Sequence, residues 1–146
     1  MRNMAYRIFL DTNIIIDLLM ERMNELDSIN EIFILAGKEK IDLYVSESVI
    51  ATTFYILRKE KRIDPLSAFR EMCKTVHAIP FSKDILYYPI EKFKDIEDGL
   101  LYFLAVKNKM DYFITRNVKD FSFLFPSLPV ISPTNFLKEI YLNDIP

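Results

Sequence analysis

Apolar residues in this chain follow two rhythms: short unbroken runs, and longer stretches in which they recur with the 3.6-residue period of a helix. The short runs predict strands over residues 7–10, 43–45, 78–79, 112–114 and 130–131. Between them the helical period predicts helices over 13–20, 25–37, 48–60, 65–75, 83–93, 96–108 and 133–140. Strands alternating with helices favour an α/β fold, with a central, mostly parallel sheet of about five strands covered by helices on both faces. Local signals mark several boundaries. Asn13 and Ser46 are placed to cap the helices they precede, Asp64-Pro65 and Ser132-Pro133 each combine a cap with a first-turn proline, and Gly37 sits where a helix would stop. The polar segment 21–28 joins two predicted helices, as an ordinary loop or as a lid or docking surface near the strand ends.

The totals narrow the field. A length of 146 residues with 51% hydrophobic content suits one domain, 1–146, around one continuous core. Two glycines leave no room for a phosphate-cradling loop, so nucleotide-binding fingerprints are excluded. The net charge of −2 would not attract nucleic acid by itself, so a polyanion must be met by a local basic patch or through metal ions. One cysteine, Cys73, cannot form an intrachain disulfide, and its place among Phe69, Met72 and Val76 predicts a buried thiol. Nothing at the amino terminus resembles a signal peptide or a membrane span, so no membrane association and a cytoplasmic location are expected. His77, the only histidine, enters a predicted strand and reads as structural.

Three segments carry candidate chemistry. The first drives an apolar strand into Asp11, followed by Thr12 and Asn13. In an open α/β sheet, ligands bind outside the carboxyl ends of the strands, so Asp11 should face a crevice; its alternative role is a helix cap. The second segment opens a helix with Asp95, Glu97 and Asp98. Acids there favour the helix dipole, but three exceed that need. Asp98 shares a helical face with Leu101 and Tyr102, whereas Glu97 is turned from it by roughly 100°, which makes Asp98 the better ligand candidate. The third segment ends a strand in Thr115-Arg116-Asn117, with Asp120 three residues on. Thr115 and Asn117 can serve the turn backbone and Asp120 can cap a short helix. This strand should nevertheless lie beside the first, bringing Thr115, Asn117 and Asp120 toward Asp11 and Asp98.

Converging carboxylates repel and are stable together only with raised pKa values or a bound cation. Mg²⁺ or Mn²⁺ suits an all-oxygen donor set, and either keeps waters that can be made acidic enough to attack a phosphodiester. With no candidate histidine base or cysteine nucleophile, metal-activated water is the economical mechanism. Near the crevice the basic residues are Arg22, Arg58, Lys59, Lys61, Arg62, Arg116 and Lys119. Arg116 and Lys119 flank the acids, where they can touch phosphates; Arg116 can equally neutralise the acids.

Taken together, "IFLDTNIIIDLL", "LYVSESVIATTFYILRK", "EDGLLYFLAVKNKMDYFITRNVKDF" and "PVISPTNFL" resemble, in order and spacing, a PIN domain, the metal-dependent ribonuclease fold of VapC-type toxins. The resemblance covers nearly the whole chain. It implies a PIN-like three-layer α/β/α sandwich and a Mg²⁺- or Mn²⁺-dependent endoribonuclease, the toxin of a toxin–antitoxin pair. Asp11 and Asp98 correspond to family metal-binding aspartates, Thr115, Arg116 and Asn117 to the Thr-x-Asp or Thr-x-Asn turn, and Asp120 to a nearby acid. The implied site thus comprises Asp11, Asp98, Asp120, Asn117 and Thr115 for catalysis, the three aspartates for metal, and Asn13, Arg116 and Lys119 for substrate. The implied partners are an RNA substrate, an antitoxin protein and a second copy of the chain. Tyr55, Phe69, Tyr87 and Tyr88 are the exposed aromatic candidates for self-association.

One departure stands out. The family's second acid, a glutamate in the helix after the second strand, falls at Thr52, leaving Glu47 or Glu97 to compensate. The competing reading is therefore a catalytically weakened or inactive PIN-like module that binds RNA or protein. A haloacid-dehalogenase-type phosphatase would need a second aspartate where Asn13 stands. A receiver domain would need paired acids at the first strand and a phosphoacceptor aspartate ending a middle strand, neither of which is evident.

Overall fold

The computed structural model describes residues 5–60, 64–121 and 128–142. Its strands are β1 (Tyr6–Leu10), β2 (Ile41–Ser46), β3 (Val76–Ile79), β4 (Tyr112–Ile114) and β5 (Val130–Ile131). Its helices are α1 (Thr12–Leu19), α2 (Leu26–Gly37), α3 (Ser48–Glu60), α4 (Pro65–Met72), α5 (Ile96–Lys107) and α6 (Pro133–Leu142). The sheet runs β3-β2-β1-β4-β5 and every pairing is parallel. β1 is central, and Leu10 stands beside Ile114, so the segments leaving β1 and β4 emerge side by side. The expected adjacency of these two strands is observed.

Period-two alternation divides the core into two layers. Ile8, Leu10, Leu43 and Val45 face a layer built with α1, α2, α3, α4 and α6, through residues such as Ile15, Ile29, Phe69 and Phe136. Phe9 and Phe113 face the other way, into a layer built with α5 through Leu101, Tyr102, Phe103 and Leu104. The result is the expected α/β/α sandwich. The second layer is aromatic: Phe9 stacks on Phe113 at 5.4 Å between centroids, and Phe113 meets Phe121 at 5.0 Å. Among the described residues, no helix is long and apolar enough to cross a membrane.

Five expectations are corrected. The helix expected over 83–93 is two 3₁₀ segments, Lys83–Tyr87 and Ile90–Lys92, because Pro89 lacks an N–H donor and disfavours helical geometry at Tyr88. The helix expected over 65–75 ends at Met72. That makes Cys73 its C-cap, and its thiol, expected to be buried, is exposed. Phe69, expected outside, is buried against Phe54 at 5.0 Å; Tyr55 and Tyr87 are exposed and Tyr88 is half-buried. Finally, α1 begins at Thr12 with Asp11 as its N-cap, so the capping role assigned to Asn13 belongs to Asp11. The signals at Ser46, Asp64 and Ser132 hold: their side-chain oxygens accept from the N–H groups of Ser48, Leu66 and Asn135.

Candidate functional site

Asp11 stands where β1 gives way to α1 and is only 5% exposed. Its main-chain N–H donates to Ile114 O at 2.9 Å, extending the β1–β4 ladder by one step. Its carboxylate is held by neutral donors. The Thr12 N–H donates to Oδ1 at 2.8 Å, while the Thr115 hydroxyl and Asn13 Nδ2 donate to Oδ2 at 2.7 and 3.2 Å. Oδ1 thus carries a single hydrogen bond and keeps a lone pair for another partner. Burial is the leading influence on Asp11 and pushes its pKa up, the Thr115 and Thr12 bonds pull it down, and Glu97 and Asp95 push it up again.

The β4 turn is tied to this group at each residue. Buried Thr115 bonds Ile131 O through its N–H and Asp11 through its hydroxyl. The Arg116 N–H donates to Asn13 Oδ1 at 3.3 Å, and the Asn117 N–H to Thr115 Oγ1 at 3.1 Å. Beyond it, the 3₁₀ segment Val118–Phe121 carries Lys119 and Asp120, both exposed, and is anchored by Phe121 in the aromatic layer.

Asp98 arrives on α5. Asp95 caps that helix by accepting the Glu97 N–H at 2.8 Å, so the three acids do not share one job. The helix lies close on the preceding segment because residue 99 is glycine: a Cβ there would sit 2.9 Å from Ile90 Cγ2 and 3.1 Å from Phe93 Cδ1. Half-buried Asp98 is pushed up to about 7, first by burial and then by the carboxylates of Asp11, Asp95, Asp120 and Glu97. Acids from three distant segments therefore act on one another, as expected. Glu97, set aside on helical geometry, proves to act on both Asp11 and Asp98. Although exposed, it belongs to the same negative field.

Arg116 does not turn to these acids. Its Nη1 bonds both oxygens of Asp17, at 2.8 and 3.1 Å, and 31% of its side chain stays exposed. Asp17 was missed in the sequence reading, although an acid between Ile16 and Leu18 of an apolar helix is itself a signal that a buried cation must be near. Thr52 is half-buried on α3, and Glu47 is exposed directly after β2. Of the other basic candidates, Arg58 and Lys59 end α3 and Arg22 lies near Asp17, whereas Lys61 and Arg62 lie outside the described residues.

In chemistry the donor set fits a hard divalent cation: buried and half-buried carboxylates, mutually repelling, beside a hydroxyl and an amide. In spacing, no group of three or more Asp, Glu, His or Cys residues among those described forms a ready cage. The three expected metal ligands Asp11, Asp98 and Asp120 are therefore not gathered into one such group; Mg²⁺ can still be held by one or two carboxylates with water completing its shell.

A strand-end aspartate, a Thr-x-Asn turn beside it and a late acidic helix on a five-stranded parallel sheet define a recognisable class. The family model described as the PIN domain matches residues 7–119, and the chain belongs to that family. It is similar to Ribonuclease VapC1 of Aquifex aeolicus (strain VF5), at 34% identity over 137 residues covering 89% of this chain and 92% of that protein. Among solved structures, the fold is similar to that of a toxin-antitoxin complex from Klebsiella pneumoniae. There the TM-score is 0.64 at 23% identity, covering 86% of this chain and 97% of the other. VapBC2 from Rickettsia felis, bound to a DNA fragment from its promoter, gives 0.66 at 21% identity, covering 85% and 96%. VapC20 of Mycobacterium tuberculosis, described as a Sarcin-Ricin loop cleaving toxin, gives 0.55 at 15% identity, covering 73% and 86%.

Proposed function

We propose that this chain is a Mg²⁺- or Mn²⁺-dependent endoribonuclease and the toxin half of a toxin–antitoxin pair. The observation that carries the reading is the 34% identity over 137 residues to Ribonuclease VapC1, and the acids at the strand ends agree with it: burial and the carboxylates of Asp11, Asp95, Asp120 and Glu97 push Asp98 up to about 7. A pocket arranged this way is costly to keep ionised unless a cation enters. The similarity to Ribonuclease VapC1 supports RNA as the substrate, and the likeness to toxin–antitoxin assemblies supports an antitoxin partner. A homodimer and a cytoplasmic location belong to the same proposal, as does the assignment of residues 1–146 to one domain.

In this reading Asp11 and Asp98 hold the ion, with Asp120 and Glu97 contributing charge at its rim. A bound Mg²⁺ or Mn²⁺ would supply a more acidic water and neutralise charge developing on the scissile phosphate. Thr115 and Asn13 orient the Asp11 carboxylate through the bonds described, so its free lone pair points consistently. Asn117 closes the turn that presents Thr115. Asn13 and Lys119 are proposed to meet the RNA backbone. Arg116, expected to do the same, is engaged by Asp17 and offers only its exposed remainder.

The test is cleavage of a structured RNA by the purified chain with Mn²⁺, with and without a chelator. The proposal expects cleavage that chelation removes. Metal-independent cleavage, or none at millimolar Mn²⁺, would reject it. Thr52, standing where the family places a glutamate, favours the second reading of a weakened RNA- or protein-binding module, which predicts RNA retention without cleavage in the same assay.

A further inference from the structure

We propose that Asp17 is a positioning residue of the acidic crevice: it keeps the Arg116 guanidinium on α1, away from the carboxylates that would otherwise draw it in. The inference rests on the metal-site reading above. Asp17 is 1% exposed in an apolar helix, and a carboxylate so buried is costly unless paired. Arg116 Nη1 bonds both its oxygens, and Arg22 Nη1 stands 3.9 Å from Oδ1. Asp11, six residues earlier and nearly as buried, pairs with no cation among the described residues; its donors there are all neutral.

The ion pair is not needed to hold the turn. Main-chain N–H groups of Asp11, Thr115, Arg116 and Asn117 already bind Ile114 O, Ile131 O, Asn13 Oδ1 and Thr115 Oγ1 at 2.9 to 3.3 Å. What the pair alone decides is where a full positive charge rests. Arg116 directly follows Thr115, whose hydroxyl is 2.7 Å from Asp11 Oδ2. Released from Asp17, the guanidinium would be free to turn toward the carboxylates of the crevice, with a geometry made to fork onto them. It would then occupy the oxygens that a metal ion needs.

The test is Mn²⁺ affinity, followed by the electron-paramagnetic signal of free Mn²⁺, with thermal unfolding as a check that each variant is folded. Asp17→Asn keeps the size and hydrogen bonding of the residue and removes its charge. It should weaken Mn²⁺ binding about tenfold, the order seen when groups behind a metal site are removed. Asp17→Asn combined with Arg116→Gln should return affinity to within about threefold of the parent, since removing both charges removes the competition. Arg116→Gln alone should not weaken binding. If it leaves Asp17 too poorly paired to fold, the comparison of D17N with the double variant decides the matter. Equal weakening in D17N and the double variant, or parent-like binding by D17N, overturns the proposal and leaves Asp17 a structural ion-pair partner. Absence of Mn²⁺ binding by the parent itself overturns the metal reading together with this one.

Discussion

The two ends of the same pair of strands treat charge in opposite ways. Where β1 and β4 begin, opposite charges are interleaved. The Arg7 N–H donates to Asp111 Oδ2 at 2.7 Å, and the Arg7 guanidinium bonds Tyr44 Oη and Asn108 O while lying 4.6 Å over the Tyr44 ring. An open hollow of about 520 Å³ lies at this end, lined by Ala5, Tyr6, Arg7, Asn108, Lys109 and Asp111, and Arg7 and Asp111 on its wall are already bonded. Where the strands finish, Asp11 and Asp98 are given neutral donors and other acids, while the nearby cation is bound to Asp17. This hollow and the unbalanced charge lie at opposite ends. Site chemistry follows the second, because an electrostatic debt left inside a fold persists only if something outside the chain settles it.

The strongest way to break this contrast is to neutralise the acids. Asp11→Asn and Asp98→Asn should each lower RNA cleavage at least about 100-fold, the scale expected when a group that positions the reacting water is lost. Neither should lower the midpoint of thermal unfolding by much, and Asp98→Asn should raise it above neutral pH. The direction follows from linkage. The folded-state pKa of Asp98 is raised from 3.8 to about 7, so between these values the folded protein holds the extra proton and its stability falls as pH rises. Its contribution is intact below about pH 4 and lost above about pH 7. Unfolding midpoints across that window should fall less steeply in Asp98→Asn, and an unchanged slope would remove Asp98 from the coupled cluster.

Next in size is Gly99→Ala. Alanine is the better helix former by about 1 kcal/mol, but overpacking costs roughly 1–3 kcal/mol, and Ile90 Cγ2, on a stiff β-branched side chain at 2.9 Å, has little room to yield. A net loss of about 1 kcal/mol in denaturant unfolding is expected, with reduced cleavage because Asp98 is the adjoining residue. A stabilised variant would show that α5 can move away from its neighbours.

At the opposite end, Arg7→Ala should cost about 1–2 kcal/mol through lost hydrogen bonds and packing on Tyr44, while Mn²⁺ affinity and cleavage by the folded fraction stay as in the parent. A tenfold loss of cleavage there would dissolve the distinction between the two ends. The smallest expected effect is a gain. Thr52→Glu should strengthen Mn²⁺ binding a few-fold by adding a charged oxygen donor where the family has one. Weaker binding would show that Glu97 or Glu47 already fills the role.

Much of this arrangement can be read from the chain because its signals are local. An apolar run ending in Asp11 says both strand and sheet edge, and the matching run ending at Thr115 says which strand lies beside it. What escaped depends on relations between segments. Pro89 splits one expected helix because its effect reaches back to Tyr88. Cys73 is exposed although it follows Phe69 by one helical turn, because its burial depends on which segments pack beside the end of α4. Asp11 is the cap of α1 as well as the proposed metal ligand, a sharing that residue types alone do not reveal. Asp17 and Arg116 lie 99 residues apart, and only the folded topology brings them together. Glu97 was discounted on helical geometry, yet charge acts across the crevice without needing to share a face.

The most direct test is anomalous diffraction from crystals soaked in millimolar Mn²⁺. The account predicts a peak beside Asp11 and Asp98 that vanishes in Asp98→Asn. No peak at that concentration, or one at the Arg7 end of the sheet, would contradict it.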